Sequence, residues 1–121
     1  GMSGKILQLQ HRTEEGGIAI IEVAGSVQLG EESSQIVHDV DDLLRQGYRR
    51  FVVDLSKVTK LDSTGLGRFI AILNLVKEAG GRLILTGATG RIEKTFRVTR
   101  LDHIFEFQPD VGAAVETLRK G

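Results

Sequence analysis

Val53-Asp54-Leu55-Ser56-Lys57-Val58-Thr59-Lys60-Leu61-Asp62-Ser63-Thr64-Gly65-Leu66-Gly67 is the stretch that organises this chain. It begins inside a short apolar run, 51–55, of buried-strand type. A short loop is expected next, and then a helix. The helix carries Leu66, Phe69, Ile70, Leu73 and Val76 on one stripe, and Gly80-Gly81 stops it. Asp62, Ser63 and Thr64 cluster where that helix begins. Either Asp62 or Ser63 can cap it by accepting a hydrogen bond from an orphan backbone N–H. Gly65 and Gly67 let a partner backbone come close, at a cost in helix propensity. An anion on Ser63 would meet unpaired N–H groups and the positive end of the helix dipole. A phosphate there would change the local charge by about −1.5 to −2 and alter what can dock. Taken alone, three polar residues before an apolar helix are equally an ordinary capping cluster.

Outward from this stretch, strand and helix patterns alternate. Residues 6–9 and 18–23 carry the aliphatic and β-branched residues of strands, and Glu15-Gly16-Gly17 between them has turn chemistry, so a hairpin is expected. Over 34–46, Ile36, Val37, Val40, Leu43 and Leu44 make one helical face opposite His38, Asp39, Asp41, Asp42 and Arg45. Glu31 and Glu32 suit the start of that helix, and Gly47 its end. Residues 82–86 read as a second buried strand, 90–98 as a helix held by Ile92 and Phe96, and 104–107 as a short strand. Pro109 suits a first helical turn, followed by an apolar face of Val111, Ala114, Val115 and Leu118. The order is ββαβαβαβα. It predicts a single α/β domain with a mixed four- or five-stranded sheet, packed against about four helices on one face. The hairpin supplies the antiparallel part and the crossovers the parallel part.

The chain of 121 residues can bury one modest core, and its 40% apolar and 26% charged residues are those of an ordinary globular domain. Sixteen basic residues balance sixteen acidic ones, which gives no electrostatic case for a nucleic acid or an anionic membrane. With no cysteine there is neither a disulfide scaffold nor a thiolate metal site. No apolar run approaches the roughly 18 residues of a membrane helix, and no signal peptide is expected. Gly1 before Met2 reads as an expression scar at the head of a disordered start, 1–4. A cytoplasmic location follows as the expectation.

Other constellations fail on their own chemistry. Asp62-Ser63-Thr64-Gly65 has four residues where the aspartic protease motif needs three, and no second copy. Ser63 lacks the G-x-S-x-G frame of a hydrolase nucleophile. His11, His38 and His103 are far apart in sequence, without the i, i+4 spacing of a helical metal pair. Gly87-Ala88-Thr89-Gly90 has neither the lysine nor the spacing of a phosphate loop. Phe105 and Phe107 read as core residues.

Several motifs together resemble those of the STAS domain family, in its anti-sigma factor antagonist form. They are Asp54-Leu55-Ser56, then Asp62-Ser63-Thr64-Gly65-Leu66-Gly67, then Gly80-Gly81-Arg82-Leu83. The stretch Arg97-Val98-Thr99-Arg100-Leu101-Asp102 followed by Ile104-Phe105, with Phe96 near its start, is similar to the family's tail. The likeness covers residues 18–118, and the domain is expected over 5–120. It implies that Ser63, directly after the aspartate, is a phosphorylation site. It implies a cognate anti-sigma factor serine kinase that binds the unphosphorylated chain and thereby frees a sigma factor, and a metal-dependent serine phosphatase that reverses the mark. The chain would be substrate and switch rather than enzyme, with no catalytic residue, metal or cofactor of its own. Partner contacts are expected from Gly25, Ser26, Val27, Gln28 and Leu29, and from Lys60, Asp62, Thr64, Gly65, Leu66 and Gly67. In one segment, 25–30, the chain departs from the family's acidic G-[DE]-[LIV]-D loop: the glycine and Val27 remain, but both acids are missing. This loop is expected to rely on backbone, Val27 and Leu29 contacts. The alternative reading is a non-catalytic accessory or scaffold domain of a transporter or a stress-sensing complex. Retention of a serine at the phospho position favours the switch, and homodimer formation stays open.

Overall fold

A computed structural model describes residues 6–121; the expected scar at Gly1 and the whole of the expected disordered start, 1–4, lie outside the described residues. Five strands and four helices follow in the expected order: β1 (Gln8–Glu14), β2 (Ile18–Val27), α1 (Ser34–Arg45), β3 (Arg50–Leu61), α2 (Ser63–Glu78), β4 (Arg82–Thr86), α3 (Gly90–Val98), β5 (Glu106–Gln108) and α4 (Val111–Lys120). The strands lie side by side as β1-β2-β3-β4-β5. β1 pairs antiparallel with β2, and β2 through β5 pair parallel. Gly16 and Gly17, at φ of 97° and 71°, make the hairpin turn in the left-handed region that glycine enters without a Cβ penalty.

Strand alternation divides the core in two. Ala19, Ile21, Val23, Phe51, Val53, Leu83 and Leu85 face α1, α2 and α3. Ile18, Ile20, Val52 and Ile84 point the other way, onto Ala114, Val115 and Leu118 of α4. The expectation of helices on one face is therefore corrected. A parallel strand apolar on both sides needs cover on both sides, and α4 supplies the second cover.

Element boundaries also differ from expectation. The last strand, expected over 104–107, spans only Glu106–Gln108, because the 3₁₀ turn Leu101–His103 carries the chain through Ile104 and Phe105 before pairing with β4 begins. β1 begins at Gln8 and consists mostly of exposed polar residues, because it is an edge strand held by β2 rather than by burial. Pro109 precedes the last helix instead of opening it; Asp110 is the cap, accepting from the Ala113 N–H at 2.8 Å. No loop interrupts 56–61, since β3 runs on to Leu61. Its pairing with β4 stops at Asp54↔Thr86. Its pairing with β2 continues, through register shifts between Glu22 and Ala24 and between Gly25 and Ser26, to Val27↔Leu61. At each shift β3 spends one residue more than β2, a bulge that bends the ribbon.

Candidate functional site

The long β2–β3 ribbon brings together two segments 34 residues apart in sequence. Ser26 stands opposite Lys60, and Val27 opposite Leu61. The Asp62 N–H donates to the Val27 carbonyl at 3.3 Å, and α2 starts at the next residue. Between the two candidate caps, the structure uses Asp62. Its Oδ1 accepts from the Gly65 N–H at 2.8 Å, while its Oδ2 accepts from the Leu29 N–H at 2.9 Å. One carboxylate thus closes the first turn of α2 and ties down the segment beyond β2. The Gly65 N–H, followed by those of Leu29 and Thr64, holds the Asp62 carboxyl below its usual range despite the opposing effect of burial.

Ser63 is the first residue of α2 and is exposed; Thr64, one step further into the turn, is half-buried. The remaining expected contact residues separate by burial. Gln28, Leu29, Lys60 and Gly67 are exposed, and Ser26 and Asp62 are half-buried. Leu29 is 81% exposed, a large apolar side chain in water with its own N–H held by Asp62. Gly25, Val27, Gly65 and Leu66 are buried and cannot supply side chains to a surface. Gly25 and Val27 belong to β2 rather than to a loop, which corrects the expected contact through Val27. Gly65 does allow a close backbone approach, but from within the chain. A Cβ there would stand 2.1 Å from the Val27 carbonyl oxygen and 2.7 Å from Leu61 Cδ1.

Two further residues organise this end of the sheet. Arg68, on α2, donates from Nε to Ser33 Oγ at 3.0 Å and from Nη2 to the Gly30 carbonyl at 3.3 Å, which fixes the 3₁₀ turn Glu31–Ser33. Sequence reasoning missed it, although a lone arginine beside an apolar stripe is a signal for such a tether. Asp54 accepts from Thr86 Oγ1 at 2.9 Å and from Ser56 Oγ at 2.8 Å. It joins β3 to β4 where their pairing ends. Gly87, at φ of 71°, passes so close that a Cβ would lie 2.8 Å from Ser56 Cβ.

Removing the Asp62 side chain takes both bonds at once. Asp62→Ala is expected to cost about 0.5–2 kcal/mol, the usual range for a lost cap. Because the folded carboxyl is held below its unfolded value, this stabilisation is complete above about pH 4 and fades as the pH falls through the lower folded value. Urea unfolding at pH 7 and at pH 3 checks it: the difference between wild type and Asp62→Ala should narrow in acid.

His38 is exposed on its helix, and Phe105 is buried against Phe96, as expected. Among the described residues no group of three or more His, Cys, Asp or Glu could hold a metal ion, and no helix is long and apolar enough to cross a membrane.

A family model described as the STAS domain matches residues 11–114, and the chain belongs to that family. An anti-sigma-B factor antagonist from Staphylococcus aureus is 32% identical over 76 residues, covering 60% of this chain and 70% of the relative. The crystal structure of an anti-sigma factor antagonist from Mycobacterium paratuberculosis superposes with a TM-score of 0.76 at 22% identity, covering 94% of this chain and 95% of that one. The Bacillus cell fate determinant SpoIIAA, in its phosphorylated form, superposes with a TM-score of 0.71 at 18% identity, covering 92% and 99%. At these identities the two structures speak for the fold.

Proposed function

We propose that this chain is an anti-sigma factor antagonist that works as a phosphorylation switch. Its unphosphorylated form binds an anti-sigma factor serine kinase and so releases a sigma factor. Phosphorylation of Ser63 by that kinase ends the binding, and a metal-dependent serine phosphatase restores it. The chain is the substrate of this cycle and catalyses no step of it, and it acts in the cytoplasm. The observation that carries the reading is an exposed serine at the first residue of α2, with the capping role taken by Asp62 beside it. Family membership, a relative named as an antagonist and a neighbour solved in a phosphorylated form support it.

Phosphopeptide mapping after incubation with the cognate kinase and ATP tests the site. Label is expected on Ser63; label on Thr64 or Ser56 would overturn the assignment.

The docking surface combines Gln28 and Leu29 with Lys60, Ser63, Thr64 and Gly67. Asp62 holds the first pair beside the helix start, and Leu29 offers the apolar contact. Leu29→Glu is expected to weaken kinase binding about tenfold or more, as loss of an apolar anchor does. Circular dichroism and unfolding midpoint should stay unchanged, because the side chain meets solvent. Unaltered affinity across substitutions at 26, 28 and 29 would remove this segment from the interface.

A further inference from the structure

Four large apolar side chains are exposed among the described residues: Ile6, Leu29, Val98 and Ile104. Two of them, Ile6 at 53% and Leu29 at 81%, line one hollow at the surface. Single exposed apolar residues are ordinary, but a pair set around a hollow marks a surface that meets a partner. The hollow holds about 260 Å³. That is less than the roughly 300–1,000 Å³ of small-molecule sites, and it suits one side chain of a larger partner.

Both apolar walls are set by backbone contacts. Gly25, at φ of 88°, lies so close to Ile6 that a Cβ would stand 2.1 Å from the Ile6 carbonyl oxygen. The bare Cα at 25 lets the chain at Ile6 settle against β2. On the other side, the Leu29 N–H donates to Asp62 Oδ2 at 2.9 Å. A hollow whose walls are held before binding spares a partner the cost of ordering them.

The position of the hollow names its occupant. The Asp62 carboxylate that holds Leu29 also caps α2, whose first residue is Ser63. A partner seated on Gln28 and Leu29 meets the hollow, because both residues line it. Glu32 is the one charged residue in its lining, and it is exposed and has no ion pair among the described residues. An apolar pair beside a lone carboxylate complements an apolar side chain with a cation next to it.

Resting on the kinase reading proposed for Ser63, we infer that this hollow receives an aliphatic or aromatic side chain of the anti-sigma factor serine kinase. A lysine or arginine of the kinase meets Glu32, and Ile6 joins Leu29 as a contact residue.

Calorimetric titration of the cognate kinase into the wild-type chain and its variants tests this, with phosphopeptide mapping of the wild type in parallel. Ile6→Glu is expected to lose about tenfold or more in affinity, and Ile6→Leu to bind as the wild type does. Glu32→Lys should lose about fivefold at low salt, and the loss should shrink as salt is raised. Ile6→Ala and Leu29→Ala should be coupled, the double variant losing less than the product of the two, because both side chains grip one group. A wild type that is bound and labelled at Ser63, with Ile6→Glu binding equally well, would overturn the inference and leave the kinase reading standing. A wild type neither bound nor labelled would overturn both. A dimer of the chain alone that Ile6→Glu disperses, seen by sedimentation, would assign the hollow to a second copy and overturn the inference. If Ile6→Glu does not fold, Glu32→Lys, on an exposed side chain, decides in the same way.

Discussion

Phosphorylated Ser63 is expected to lower affinity for the kinase by on the order of 100-fold, the penalty of burying a charge that the partner does not pair. The effect belongs to the interface more than to the fold. Ser63 is exposed at the start of α2, so a phosphate there stays in water when the chain is alone. The helix dipole favours it, while the Asp62 carboxylate next door, held in its charged form by the Gly65 N–H, opposes it. These two effects offset each other, and the unfolding midpoint should move little. In the complex the same group would have to lose its water against Leu29 and against a kinase site that already holds nucleotide phosphates. Ser63→Asp carries about half the charge and should lose roughly tenfold. Ser63→Ala should bind constitutively, with or without ATP. Calorimetric titration of the three forms against the kinase is the measurement. An Asp variant that binds as tightly as wild type would end the switch as described.

Gly65→Ala is expected to destabilise the fold by about 1–3 kcal/mol, the range of overpacking. The added Cβ would meet the Val27 carbonyl oxygen at 2.1 Å, a backbone atom paired into the ribbon, and Leu61 Cδ1 at 2.7 Å. Relief requires the first turn of α2 to move off β2, which stretches the Asp62 bonds to Gly65 and Leu29. Gly67 is the internal control. It lies in the same helix, is exposed, and a Cβ there meets nothing within 4 Å. Gly67→Ala should therefore stabilise by about 0.5–1 kcal/mol through helix propensity alone. Urea unfolding of the pair should give shifts of opposite sign; shifts of the same sign would mean that the close approach at Gly65 is not what the residue is there for.

The sequence made some elements plain and disguised others for physical reasons. Residues 82–86 and 90–98 lie where periodicity puts them, because both are patterned by burial, the first lies between Gly81 and Gly87, and the second starts at Gly90. The second half of β3 was disguised by composition. Ser56, Lys57, Thr59 and Lys60 are exposed, so that only Val58 among 56–60 marks the strand by burial. β1 was displaced for a related reason: an edge strand needs no apolar face, so its pattern carries little signal. The second face of the sheet was legible in principle. Four consecutive buried residues, Ile18 to Ile21, demand cover on both sides. At the site, the DST cluster pointed to a helix start but could not choose between Asp62 and Ser63, since both side chains cap well. The bonds from Asp62 to Leu29 and from Arg68 to Ser33 span 33 and 35 residues, and only the folded sheet brings those partners together.

The doubled duty of Asp62 has a consequence for how such a chain can diverge. Selection on helix stability and selection on the shape of the neighbouring segment fall on the same carboxylate, so neither property can drift at that position without the other. Gln28 and Leu29 are under no such joint constraint. The Leu29 backbone is anchored by Asp62, yet both side chains lie in water, where substitutions usually change stability by less than about 0.5 kcal/mol. On the proposed reading, two sister chains arising from a gene duplication could diverge in partner preference by changing these two side chains while inheriting the same scaffold.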